Sequence, residues 1–214
     1  MIYEPHIEKL LGFFTGDLFK TQVLAAKREF FERSGVIDEE GGVFEVRTSQ
    51  FLDWYLFSRK LTEQQITPIE YALRNSEFAM TDEDRPGYER LAAHQHSLYE
   101  FIKLRGQDVY VRDLFTNKRV ILKNSHLTLG FNYDEVFDVR IIPVDGSFVF
   151  AKGFCFHPAE AKKFILKEVK AAKNIDHDAK EDLLLRLLKM RYKLDQYRHI
   201  GLAQIYSNDS KLRF

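Results

Sequence analysis

At Ser97 the sequence changes period, and that change constrains the fold more than any other feature. SLYEFIKLRG, QDVYVRDLF, KRVILK, DEVFDVRIIPV and SFVFAKGFCF are five runs rich in β-branched and aromatic residues. They are separated by Arg105-Gly106, Thr116-Asn117, the Asn124 to Gly130 stretch and Asp145-Gly146. Asp-Gly between two alternating runs is the strongest hairpin signal of these. Five short strands in so little chain predict a small, partly closed antiparallel barrel of the SH3-like or OB-like kind over residues 97–157, because closure hides edges that a flat sheet exposes. The order of the strands is not written in the sequence.

The preceding residues, 1–96, read as helical. Phe19, Val23, Ala26 and Phe30 step by four and three between Asp17 and Arg33, and Gly35 follows where a left-handed cap is cheap. Asp38 to Gly42, DEEGG, reads as a loop. FLDWYLFSRKL, residues 51–61, holds seven apolar side chains in eleven and the single tryptophan; a short helix capped by Ser49 and ending at Arg59 and Lys60 is expected. A helix apolar nearly all round needs contact on several sides. Phe51, Leu52, Trp54, Tyr55 and Phe57 are therefore expected to knot the helices to the barrel, with a peptide-binding groove as the alternative. TPIE combines a capping Thr67, Pro68 at the first helical position and Glu70 closing a capping box, for a helix to about Arg74. Asp84 is expected to cap another helix to about Gln95.

After His157-Pro158 the helical signal returns, to about Lys173, and Asp178 with Glu181 suggests a second capping box. In the last helix Leu183, Leu187, Met190, Leu194 and Tyr197 step by four, three, four and three. This seam packs either against the Phe19 to Phe30 seam of the same chain, the preferred reading, or against a partner; a homodimer is not favoured. The fold class is α+β: an N-terminal helical region, the small barrel, and a C-terminal helical extension over 158–214. Lys plus Arg and Asp plus Glu number 32 each, so no net field steers the molecule to nucleic acid or membrane. Locally the balance differs: residues 1–96 hold 11 basic and 17 acidic side chains, and residues 158–214 hold 13 and 8. Attraction between the two ends is the expected use of that asymmetry.

FLDWYLFSRKL followed by TPIEYALR, and LYEFIKLRGQDVYVRDLFTNKRVIL after it, resemble a group of poorly characterised bacterial proteins. In these, a helical segment with an aromatic stretch like DWYLF and a Thr-Pro helix start precedes a small β domain with a Tyr-Glu pair and an RDL-x-T turn. The likeness covers about Gln50 to Pro158 and implies a helix-plus-small-barrel fold without an assigned catalytic residue. Some relatives carry a SEC-C zinc motif; this chain, with Cys155 as its one cysteine, lacks it.

Chemistry is sparsely signalled. One cysteine excludes an internal disulfide and any multi-cysteine zinc site and fits a reducing compartment. The N-terminus MIYEPHIEKL lacks the basic start and apolar core of a signal peptide, and no run reaches the length of a membrane span. A cytoplasmic protein without membrane contact is expected. His94 and His96 form H-x-H and Cys155 with His157 forms C-x-H, yet no third ligand nominates itself, so neither metal nor cofactor is expected. Ser147 lies in a hairpin turn, Cys155 sits between two phenylalanines, and no phosphate-cradling glycine loop occurs. No catalytic residue is nominated.

One strand face stands out. Alternation through SLYEFIKLR puts Tyr99, Phe101, Lys103 and Arg105 together, and Tyr110, Arg112 and Lys152 extend that face. Rings interleaved with cations suit single-stranded nucleic acid, since bases stack while cations meet phosphates. The first functional reading is a non-enzymatic interaction or adaptor protein with a protein partner, contacted through the barrel or through Leu183, Leu187, Met190, Leu194 and Tyr197. The second is RNA or single-stranded DNA binding through the aromatic and basic face. The third is an enzyme using His94, His96 and His157 around a metal.

Overall fold

The computed structural model describes residues 2–36, 43–128, 130–172 and 176–208, so the expected loop from Asp38 to Gly42 lies outside the described residues. Its architecture is α+β, with helices on either side, in sequence, of a curled antiparallel half-barrel.

The sheet comprises β1 (Gln95–Arg105), β2 (Asp108–Asp113), β3 (Arg119–Leu122), β4 (Val136–Val144), β5 (Ser147–Phe150) and β6 (Cys155–His157). Its main path runs β3-β2-β1-β4-β5, and β6 pairs with β4 beyond β5. Asp145 and Gly146 both have positive φ, 39° and 75°, as the two-residue turn joining β4 to β5 requires. The fifth expected run is thus two strands on one edge of β4. Between them Gly153 turns its amide to the Asp53 carboxylate at 2.9 Å. A Cβ on Gly153 would stand 2.6 Å from that carboxylate oxygen, so only glycine fits there. The sheet curls until β3 approaches β5, and Ser147 clasps the two: its hydroxyl accepts the Lys123 amide at 2.8 Å and donates to the Ile121 carbonyl at 3.4 Å.

Before the sheet come α1 (Glu4–Phe14), a single 3-10 turn (Asp17–Phe19), α2 (Lys20–Ser34), α3 (Phe44–Phe57), α4 (Pro68–Arg74) and α5 (Arg85–Ala92). The Thr67–Glu70 capping box that opens α4 is present in both directions. Asp84 precedes α5 without a side-chain cap, and the chain is already extended at Gln95. The tryptophan helix corrects the expectation: α3 starts at Phe44, Ser49 lies inside it, and it ends at Phe57. Its first half escaped the periodicity reading because two of its inward positions are polar. Arg47 is fully buried, and its guanidinium sits 3.8 Å from the Tyr192 ring centre while it donates to the Ser34 hydroxyl and to the Ser34 and Gly35 carbonyls. A cation thereby closes the C-terminus of α2.

Phe51, Trp54, Tyr55 and Phe57 are buried, with Trp54 tilted on Phe30 at 5.4 Å, so the apolar residues of the tryptophan stretch are core; an edge of Trp54, with Ser58, Arg59 and Lys60, borders a shallow and largely charged depression of about 330 Å³. The same cluster includes Ile142 of β4 and Cys155 of β6, which joins the helices to the sheet.

After β6 a 3-10 turn (Ala159–Ala161) leads into α6 (Lys162–Ala171), followed by α7 (His177–Gln196) and the short α8 (Leu202–Ile205). The cap of α7 is Asp176, accepting the Ala179 amide at 2.8 Å, in place of the expected Asp178–Glu181 box. Leu183, Leu187 and Met190 are buried against α6, α8 and Leu98 of β1, with Leu194 packed partly on the same cluster. Tyr197, half-buried, follows α7 directly. The helix meets Phe30 and its neighbours through a different stripe, Leu185, Leu188 and Tyr192. The seam is covered within the chain because α7 is apolar on two faces, which a single four-three pattern does not register. Nor do the ion pairs reaching α7 from the N-terminal region follow the net charges: Arg33–Asp182 and Lys60–Asp178 both take the cation from the acidic end. Among the described residues no helix is long and apolar enough to cross a membrane.

Candidate functional site

The outer face of β1, β2 and β3 is shaped by a β-bulge. Glu100 pairs with Arg112 and Phe101 with Val111, but Lys103 pairs with Tyr110, which leaves Ile102 as the extra residue. Tyr99 and Phe101 point into the half-barrel, where they are buried, Phe101 stacking on Phe131 at 5.2 Å. Beyond the bulge the phase is reversed, and Lys103 and Arg105 share the outer face with Tyr110 and Arg112. The expected face is therefore divided: its two β1 rings are core and its four remaining β1 and β2 residues lie outside. Lys152 stands apart, just after β5, paired with Glu4.

Sequence reasoning passed over β3, which completes the face. Arg119 lies opposite Arg112 and Ile121 opposite Tyr110. The signal was there, since Arg119 and Ile121 alternate in KRVILK at the phase that the β2–β3 pairing selects. Tyr110 and Ile121 form an apolar centre, with Lys103 Nζ 5.0 Å from the Tyr110 ring centre. Around them Lys103, Arg105, Arg112 and Arg119 are exposed. Arg112 is held by the buried carboxylate of Glu100 at 2.7 Å, which also takes Lys162 of α6 at 2.7 Å. Burial raises the Glu100 carboxyl, but these two cations more than reverse that and hold it below the ordinary carboxylate range. Among the described residues Lys103, Arg105 and Arg119 take part in no ion pair. Arg112 and Arg119, like charges facing each other across two strands, leave a position where an anion relieves repulsion.

A second constellation is sealed beneath the sheet. The His96 ring meets Glu181 Oε1 through Nδ1 and Asp138 Oδ1 through Nε2, both at 2.6 Å. With an acceptor at each nitrogen, the ring donates twice and is an imidazolium. Burial and the Arg140 guanidinium depress its pKa, yet the two carboxylates outweigh them and raise it. Glu181 follows the reverse course: burial raises it, and His96 and Arg140 bring it far below the usual range. Arg140 stands 3.5 Å from Glu181 and donates to Ser58, while Lys180 gives a hydrogen bond to the His96 carbonyl at 2.6 Å. The cluster ties α3, β1, β4 and α7 together and leaves room for about one water, in a cavity of about 20 Å³.

The other residues considered for a metal are dispersed in their bonding. His94 Nδ1 faces the Leu91 carbonyl at 3.0 Å, and His157 Nδ1 faces the Tyr206 hydroxyl at 3.0 Å. Burial pushes the Cys155 thiol well above its ordinary value, so it carries no thiolate at neutral pH. Among the described residues no group of three or more His, Cys, Asp or Glu side chains is placed to hold a metal ion.

No curated protein and no solved structure matches the chain. A family described as of unknown function, DUF7986, matches residues 21–203, which takes in the tryptophan helix, the whole half-barrel and α7. The chain belongs to that family of unknown function.

Proposed function

We propose that the protein is a non-enzymatic binding module that holds single-stranded RNA or DNA on the outer face of β1, β2 and β3. The observation that supports this reading is the arrangement of four exposed cations, Lys103, Arg105, Arg112 and Arg119, around Tyr110 and Ile121. Three of these cations are free of carboxylates among the described residues, so phosphates meet little competition. Tyr110 offers a ring for one base, and the adjacent strands space the cations along a path that a flexible backbone can follow. A duplex is a poorer fit, because the face is a shallow sheet without an element that enters a groove.

The test is fluorescence anisotropy with labelled oligouridylate and oligothymidylate of about 20 nucleotides. Binding is expected to weaken with salt: each phosphate contact contributes about −0.7 to the slope of log K against log salt, so the three free cations give about −2. Arg105→Ala with Arg119→Ala is expected to lower both affinity and slope. Absence of binding at low salt overturns the reading. Equal binding to polyglutamate redirects it to an acidic protein partner.

A further inference from the structure

The half-barrel is closed by a side chain where a full barrel would be closed by a ladder, and past that closure its seam opens. Below, Ser147 bridges β3 and β5 through Ile121 and Lys123. Beyond it, Lys123 to Leu127 diverge from β5 and leave a cavity of about 670 Å³. Ligand pockets commonly measure about 300–1,000 Å³ and combine apolar walls with a few polar groups. This cavity does the same: Leu127, Val144, Val149, Phe150 and Phe154 line it, with Ile2 at its side.

Its polar lining carries a charge preference. Lys123, Lys152, His126 and Glu4 all contribute. Glu4 is taken up by Lys152, whereas Lys123 is exposed and in no ion pair among the described residues. Among the described residues the cavity therefore offers one uncompensated cation above walls suited to a hydrocarbon. A cationic ligand would have only the occupied Glu4 to meet.

We infer that the seam of the half-barrel is a binding site for an amphipathic monocarboxylate, its carboxylate on Lys123 and its apolar tail against Val149, Phe150 and Phe154. Nothing in this site depends on the outer face of β1 to β3, so the two readings stand or fall separately.

Decanoate, kept below its micelle concentration, is the probe. Titration into the full chain is expected to saturate, shifting the methyl resonances of Leu127, Val144 and Val149 and leaving those of Ile121 in place. Decanol is expected to bind at least about tenfold more weakly, and decyltrimethylammonium not to saturate. Val149→Trp, which fills the cavity, is expected to abolish saturation while leaving oligonucleotide binding intact. Lys123→Glu, an exposed change that spares the apolar walls, is expected to reduce decanoate affinity and to leave decanol unchanged. Failure of decanoate to saturate overturns the inference, as does equal affinity for decanol or unchanged binding by Lys123→Glu. Shifts confined to other methyl groups overturn it too, by placing the ligand elsewhere.

Discussion

Asp53 on α3 accepts the amide proton of Gly153 at 2.9 Å, inside the break between β5 and β6. Gly153→Ala forces a methyl group to within 2.6 Å of the carboxylate and 3.2 Å of the Gln50 Cα. It is expected to cost about 1–3 kcal/mol, typical of an overpacked interior, read as a lower urea midpoint at unchanged slope. Alanine at the exposed Gly106, with no neighbour within 4 Å but φ of 58°, tests backbone strain without the clash and should cost about 1 kcal/mol.

His96→Leu is expected to be among the most damaging single changes, at about 3–5 kcal/mol, because Asp138 and Glu181 are left buried without their shared cation. Combining it with Asp138→Asn and Glu181→Gln should restore part of the loss, measured by chemical denaturation of all three chains. Since the folded pKa of His96 is raised, its contribution is full below the unfolded value of about 6.5 and fades as pH climbs through the folded value. Glu181, depressed in the fold, contributes above its unfolded value and loses that contribution on acidification.

His157 gives the opposite slope. Burial brings the imidazole down to about 4, outweighing the upward pull of Asp138, with a smaller downward push from Arg191. A depressed folded value means that its stabilising contribution is present above about pH 6.5 and is lost as pH falls toward about 4, where the unfolded chain gains a proton that the fold refuses. His157→Gln is expected to lower stability near neutral pH and to flatten the decline between about pH 6.5 and 4, followed by urea unfolding across that window.

Two aromatic residues from the same pair of strands should separate folding from binding. Phe101→Ala removes an inward ring stacked on Phe131 and is expected to cost about 3–5 kcal/mol of stability. Tyr110→Ala alters an outward ring and should leave the thermal midpoint nearly unchanged while weakening oligonucleotide binding by about 1–3 kcal/mol. Calorimetry and anisotropy on the same two preparations check the pair.

What was legible in the sequence was what local chemistry decides. The Thr67–Glu70 box and the Asp145-Gly146 turn are written in adjacent residues and appear in the fold as read. The tryptophan stretch was legible as core because too many of its positions are apolar for any exposed helix. The bulge at Ile102 was not, since it is fixed by bonds between Phe101 and the Asp134-Glu135 approach to β4. That one inserted residue reversed the phase of Lys103 and Arg105 and divided a face that simple alternation had joined. Glu181 was misread as a cap for a related reason: its partner His96 lies 85 residues away, and no short-range pattern announces such a pair.

The clasp at Ser147 seats β5 against the border of β3 that β2 leaves open, with no strand ladder between them among the described residues. Bare strand borders invite a second copy to add on; this one has its Ile121 carbonyl and Lys123 amide taken by Ser147 and is flanked by the exposed Lys118, Arg119 and Lys123, which would meet their own counterparts in any such head-on docking. Those three side chains, of which Arg119 is also among the four proposed to meet phosphates, thus stand as a fence between molecules.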